Sequence, residues 1–333
     1  MSPFHPPWWL RSRHGQTLWP ALFRRKPRLP LEKERLILPD GDFLDLVWTP
    51  WRGSGEASAL VLILHGLEGS SESTYAAGML DAVSRQGWQA VLMHFRGCSG
   101  EANRARRSYH SGETDDLQFV AERITARYPG RVLFGLGFSL GGNVLLKWLG
   151  ERGSDVPLRA AIAISVPFDL ACAAKALGKG FSRLYQWWLM RSLVANLHRK
   201  FSKPVADNEF SVVAATNSFW HFDDRVTAPL HGFANVHDYY AKCSSKQFLC
   251  AIRIPTLLIQ SRDDPFLPAH CLPDRETMSE YISTDFTEGG GHVGFVCGNW
   301  PWQARYWLEP RSLSFLRMFV DEAPLIQIRP TPS

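Results

Sequence analysis

A serine, a histidine and an aspartate stand in this sequence where each could act on the others. Ser139 is the centre of Gly137-Phe-Ser-Leu-Gly141, Asp264 lies in Ser261-Arg-Asp-Asp-Pro265, and His292 lies in Gly289-Gly-Gly-His-Val-Gly294. Acyl transfer by a serine needs a base within hydrogen-bond reach, a carboxylate on the base's other nitrogen, and amides that receive an oxyanion. Backbone amides of Leu67, in His65-Gly-Leu-Glu-Gly69, and of Leu140, the residue after the serine, are placed to supply the last requirement. The candidate site is therefore Ser139 as nucleophile, His292 as base, Asp264 as orienting acid, and Leu67 and Leu140 as oxyanion donors. No metal cluster or cofactor motif is needed for this chemistry.

Each motif alone admits a plainer reading. Gly135, Gly137 and Gly141 loosely imitate a phosphate-binding loop, but a dinucleotide site wants an acid at the end of the next strand, and Asp155 precedes that strand. His65 could be a core histidine satisfied by the backbone. His110 and Asp115 form a His-x4-Asp pattern known in acyltransferases, which a loop histidine and a helix cap explain without chemistry. Asp264 is preferred to Asp263 because it keeps the Asp-x-x-x-Pro spacing to Pro268, leaving Asp263 as a surface charge or salt-bridge partner. His292 is preferred to His270 for its glycine setting.

These residues need elements to hold them. Arg35 to Trp48 reads as a hairpin around Pro39-Asp-Gly-Asp42, and Ala59 to Leu64 as a strand buried on both faces. A helix from Thr74 to Arg85, a strand from Gln89 to Phe95, and a helix capped by Thr114 follow. The strand Val132 to Leu136 enters the Ser139 turn and its helix, and Ala160 to Val166 is another strand. After Pro167 the strand pattern stops. Phe181, Leu184, Tyr185, Trp188, Leu189, Leu193 and Leu197 recur at helical spacing, which predicts a helical insertion placed as a lid. Strands resume at Pro255 to Gln260 and Ser283 to Phe286, and Pro301 to Val320 reads as a closing helix. The expected organisation is an arm over 1–34, an α/β core over 35–167 and 251–333, and a lid over 168–250.

The 333 residues are 45% apolar, enough for a full core, and the net charge is +5. The Lys and Arg residues form no single stripe, which argues against nucleic acid as a partner. Residues 1–30 mix Trp, Pro and Arg without period and read as an irregular arm packed on the core rather than a membrane-surface anchor. No run is long enough to span a membrane, no signal core is evident, and Cys98, Cys172, Cys243, Cys250, Cys271 and Cys297 show no paired or metal-ligand spacing. Reduced, mostly buried thiols in a cytoplasmic protein are expected.

The chain also resembles a known family. Leu38-Pro-Asp-Gly-Asp-Phe43, His65-Gly-Leu-Glu-Gly-Ser70, Met93-His-Phe-Arg-Gly-Cys-Ser-Gly-Glu101, Tyr109-His-Ser-Gly-Glu-Thr114, Phe138-Ser-Leu-Gly-Gly-Asn143, Phe222-Asp-Asp224, Asp263-Asp-Pro-Phe266 and Gly290-Gly-His-Val-Gly-Phe295 are similar to the YheT-like hydrolases. These are bacterial relatives of plant EMB8 and of mammalian α/β-hydrolase-domain lipid esterases. The arm's His14-Gly-Gln-Thr17 matches the family's His-x-Gln-Thr element. The resemblance implies an α/β-hydrolase fold with Ser139, Asp264 and His292 as its triad. The expected substrate is a small-molecule carboxylic ester with an apolar acyl group. A thioesterase or acyltransferase with the same triad, or a binding protein that has kept the fold, are the alternatives.

Overall fold

The structure is a computed structural model and describes residues 3–51, 59–201 and 218–320. Eight strands form its central sheet: β1 (Glu32–Ile37), β2 (Phe43–Trp48), β3 (Ala59–Leu64), β4 (Gln89–Met93), β5 (Val132–Phe138), β6 (Ala160–Ile164), β7 (Thr256–Ser261) and β8 (Ile282–Thr287). Their order is β1-β2-β4-β3-β5-β6-β7-β8, antiparallel at β1 and β2 and parallel from β4 to β8.

The apolar run of β3 shows why the sheet sits inside. All six of its residues are buried. Leu60, Leu62 and Leu64 join one core with Leu117, Val120 and Ile124 of α3 (Asp115–Arg127) and with Val144, Leu145 and Trp148 of α4 (Leu140–Arg152). Ala59, Val61 and Ile63 join the other, with Met79, Leu80 and Val83 of α2 (Thr74–Arg85) and with Leu313 and Leu316 of α10 (Leu308–Arg317). Each such Leu, Ile or Val contributes about 1.5–3 kcal/mol, so a charge at any one β3 position would break the layer it faces.

β3 lies between β4 and β5, so the chain leaves it in one direction and returns on its other side. At such a reversal the loops beyond the strand ends part and leave a crevice. Into that crevice run the loops carrying Leu67 and Ser139.

Between β6 and β7 come α5 (Leu170–Leu177), α6 (Ser182–Lys200), α7 (Phe219–Phe222), a π-turn at Asp223–Thr227, α8 (Ala228–Leu230) and α9 (Val236–Cys243), with no strand among the described residues. Part of the expected 168–250 insertion, residues 202–217, lies outside the described residues.

Four expectations need correction. The arm is not irregular throughout: α1 (Arg13–Phe23) is a helix opened by Ser12, whose hydroxyl accepts from the Gly15 amide, although Pro20 inside it blurs the sequence pattern. The closing helix begins only at Leu308, because Arg305–Tyr306 (β10) is drawn into a two-stranded pairing with Val296–Cys297 (β9). Thr114 stands at the cap of α3, but its hydroxyl donates to Glu151 Oε2 at 2.8 Å. Finally, the cysteines are neither all reduced nor mostly buried. Cys172 and Cys271, 99 positions apart, are disulfide-bonded across a Cα separation of 6.6 Å, and Cys250 is exposed. The insertion's first helix packs on the loop after β7, a proximity that spacing alone cannot show.

Candidate active site

Ser139 stands at the turn from β5 into α4 with φ 50° and ψ −119°, in the region that L residues avoid. Crowding around the turn explains its glycines. A Cβ on Gly141 would lie 2.4 Å from the His65 carbonyl oxygen, and one on Gly137 would lie 2.5 Å from the Gly141 carbonyl oxygen. The turn is pinned by the Ser139 amide, which donates to Ile164 O at 2.8 Å, and by Ser139 O, which accepts from Asn143 N at 3.0 Å.

His292 Nε2 lies 3.0 Å from Ser139 Oγ, and its Nδ1 lies 2.9 and 3.1 Å from the two carboxylate oxygens of Asp264. A nitrogen facing a carboxylate carries its proton, which leaves Nε2 free to accept from the serine. Asp264 is only 3% exposed and is held by three donors: His292, the Phe266 amide at 2.7 Å and the Gln260 side-chain amide at 2.9 Å. The Phe266 ring stacks on the imidazole with centroids 3.8 Å apart. Asp263 faces elsewhere. Its carboxylate accepts from the Ser261 hydroxyl and from the Gly291 amide at 2.9 Å, so it clasps the histidine loop in place of the surface-charge or salt-bridge role expected of it.

The histidine loop is strained, with Val293 and Phe295 at φ 57° and 45°, and side chains from distant segments hold it. Ser165 Oγ accepts from Val293 N at 2.9 Å, and Thr17 Oγ1 accepts from His292 N at 2.9 Å. Buried Gln16 accepts from Val296 N at 2.7 Å and donates to Val296 O and Leu10 O. A Cβ at Gly294 would lie 2.3 Å from Gln16 O, so that glycine permits the close approach of arm and loop. The His14-Gly-Gln-Thr17 element thereby gains a physical purpose. Sequence reasoning found the motif but missed its role, since its partner lies 275 positions away.

Beyond β3, Tyr75 Oη accepts from Gly66 N at 2.9 Å and Tyr109 Oη accepts from Glu68 N at 3.0 Å. Between them, the Leu67 N–H has no acceptor among the described residues, and neither does the Leu140 N–H at the start of α4. Gly66 abuts the serine: a Cβ there would lie 3.3 Å from Ser139 Cβ. His65 is a structural residue. Its Nδ1 contacts Gly66 O at 2.6 Å, its Nε2 accepts from Phe95 N at 3.1 Å, and burial pushes its pKa down to about 3.

A cavity opens beside Ser139. Its lining includes apolar Leu177, Leu189, Leu193, Phe219, Phe222 and Phe266. It also includes polar Glu68, Tyr109, His110, Asn196, Lys200 and His231. Burial pushes the Glu68 carboxyl upward against the hydrogen bonds it accepts from Tyr109 and Asn196, and brings Lys200 down to about 8 and His231 to about 4. His110 lines the cavity 3.8 Å from Glu113, whereas Asp115 is exposed in the first turn of α3; the two do not form a pair. His270 is exposed on the acid loop beside the disulfide.

Residues 59–274 match the family model described as alpha/beta hydrolase fold. The chain belongs to the α/β-hydrolase family. Within it this hydrolase is YheT-like, being 39% identical over 92% of its length to "Putative esterase YheT" of Escherichia coli (strain K12), 91% of which is covered. It is also 30% identical over 91% of its length to the mouse phospholipase ABHD3, covering 75% of that protein. Among solved structures, the Pyrococcus furiosus esterase Pf2001 superposes with a TM-score of 0.57 at 15% identity, over 88% of this hydrolase and 94% of that chain, a likeness of fold.

Proposed function

We propose that the protein hydrolyses carboxylic esters through an acyl-enzyme at Ser139. The observation that carries this reading is the continuous hydrogen-bonded line from Ser139 Oγ through His292 to Asp264 at the wall of a largely apolar cavity. His292 Nε2 takes the serine proton as Oγ attacks the ester carbonyl, and the Leu67 and Leu140 amides receive the oxyanion. The imidazolium then protonates the leaving alcohol. Water attacks the acyl-enzyme with the same nitrogen as base, and Asp264 keeps the proton on Nδ1 throughout. Relatives named esterase and phospholipase support ester cleavage in general.

The insertion 168–250 is read as a lid, supported by Leu189, Leu193 and Leu197 of α6, which wall the cavity. The apolar residues of the lining suit an acyl chain, and the polar ones suit the alcohol part of the substrate.

The test is hydrolysis of p-nitrophenyl esters of increasing acyl length by the purified protein and by a folded Ser139→Ala variant. Turnover by the wild type with a loss of at least about 10⁴-fold in the variant is expected. Equal turnover by both would remove Ser139 from the mechanism. Product analysis with added alcohols or acyl-CoA separates hydrolysis from acyl transfer and thioester cleavage.

A further inference from the structure

The cations of this chain are less evenly placed than their spread along the sequence suggests. Residues 1–31 and 170–200 together hold twelve Lys and Arg and no Asp or Glu; the remainder holds 25 cations and all 32 carboxylates. The net positive charge of the protein therefore resides in these two segments, with 138 residues between them in sequence.

The fold joins them. His14 of α1 lies against Phe181 with ring centroids 4.4 Å apart, and its Nδ1 is 3.1 Å from the Tyr185 hydroxyl of α6. Some of the cations are engaged internally: Arg24 pairs with Glu309, and Lys200 donates to Arg107 O. Arg11, Arg13, Arg25, Lys179, Arg183 and Arg191 are exposed.

Large apolar side chains stand exposed among them. Leu184 is 50% and Trp188 59% exposed on α6, with Phe181 at its start, and Leu22 and Phe23 end α1. Arg191 lies over the Trp187 ring, with its guanidinium carbon 4.9 Å from the centroid. The opposite stripe of α6, Leu189, Leu193 and Leu197, walls the cavity beside Ser139. One helix thus separates the reacting serine from an aromatic and basic exterior. No described helix is long and apolar enough to cross a membrane, so any association through this face is peripheral.

We propose that α1 and the outer face of α6 form a docking surface for anionic phospholipid bilayers. Tryptophan and leucine enter the headgroup boundary while arginine and lysine meet lipid phosphates, a pairing in which neither apolar contact nor charge suffices alone. Charge complementarity selects this occupant: two segments that bring cations and no carboxylate of their own suit a polyanion, and exposed Trp, Leu and Phe suit one with an apolar interior. Delivery of bilayer esters to the cavity behind α6 rests on the ester-hydrolase reading, whereas adsorption itself does not.

The experiment is vesicle co-sedimentation of the full chain carrying Ser139→Ala, so that turnover plays no part. Vesicles of phosphatidylcholine alone are compared with vesicles containing about one-third phosphatidylglycerol, at about 0.1 M and about 0.5 M NaCl. Binding to the anionic vesicles only, weakened by salt, is expected. Arg183→Gln with Arg191→Gln should weaken it by about ten-fold or more, and Leu184→Ser with Trp188→Ser comparably. In the Ser139 background, all of these should leave p-nitrophenyl acetate turnover within about two-fold of wild type. Equal binding to both vesicle types, no binding to either, or retention by duplex DNA but not by vesicles would overturn the surface. Vesicle binding without ester turnover by the wild type would sink the hydrolase reading alone.

Discussion

Thr17 touches the candidate base only through a backbone amide, which makes it a sharper probe of the site than the reacting groups. Thr17→Val leaves the His292 N–H unpaired and lets the imidazole drift, so kcat should fall about 10- to 100-fold with KM nearly unchanged. Thr17→Ser keeps the oxygen and should restore kcat; a change confined to KM would refute the positioning role. Asp223 offers a test by pH. It lines the cavity beside Tyr240 of α9, accepts from the Thr227 and Tyr240 hydroxyls, and is pushed by desolvation from 3.8 to about 6. The folded state thus holds a proton that the unfolded chain releases, and the associated stability is full below pH 3.8 and lost as pH rises through about 6. Asp223→Asn carries no charge to lose. Its stability relative to wild type should therefore increase by up to about 3 kcal/mol between about pH 4 and about pH 7.5, as read from urea unfolding. A flat difference would show that the carboxyl is not perturbed.

Elements differ in how much of themselves the sequence displays. β3 and α2 are legible because Ala59 to Leu64 is uninterruptedly apolar and Thr74 to Arg85 carries a helical period, and both are local properties. The Ser139 turn is legible because its Gly-x-Ser-x-Gly pattern is local, although the carbonyl that Gly141 makes room for is remote in sequence. Gly141→Ala should drive a methyl against the His65 carbonyl and lower both Tm and turnover; a well-folded, fully active variant would contradict the geometry. The disulfide and the role of Asp263 are not legible, since each depends on a partner remote in sequence, and neither is α1, because Pro20 blurs its period. Closing 99 positions, the Cys172–Cys271 bond should stabilise the oxidised protein by up to about 5 kcal/mol. Reductant should lower Tm by several degrees, and Cys172→Ser should remove that response. A wild type insensitive to reductant would exclude the bond.

At the scale of the whole molecule, sheet order is the part that chain order conceals. The run of strands and helices implies a parallel sheet, but the reversal at β3 that opens the crevice follows from pairings with β4 and β5. The same holds for the site. Ser139, Asp264 and His292 are identifiable because each sits just beyond a strand, whereas Gln16, Ser165 and Asp263, which hold the histidine loop, carry no mark of that task until the strands are assembled. Their contacts also impose an order on biosynthesis. Thr17 leaves the ribosome 275 residues ahead of the histidine whose amide it receives, which at bacterial and eukaryotic synthesis rates is a wait on the order of 15–55 s. Through that interval the arm's tryptophans and basic residues have no histidine loop to close upon. The nascent chain thus acquires a complete candidate site only once the histidine loop has followed the arm out of the ribosome.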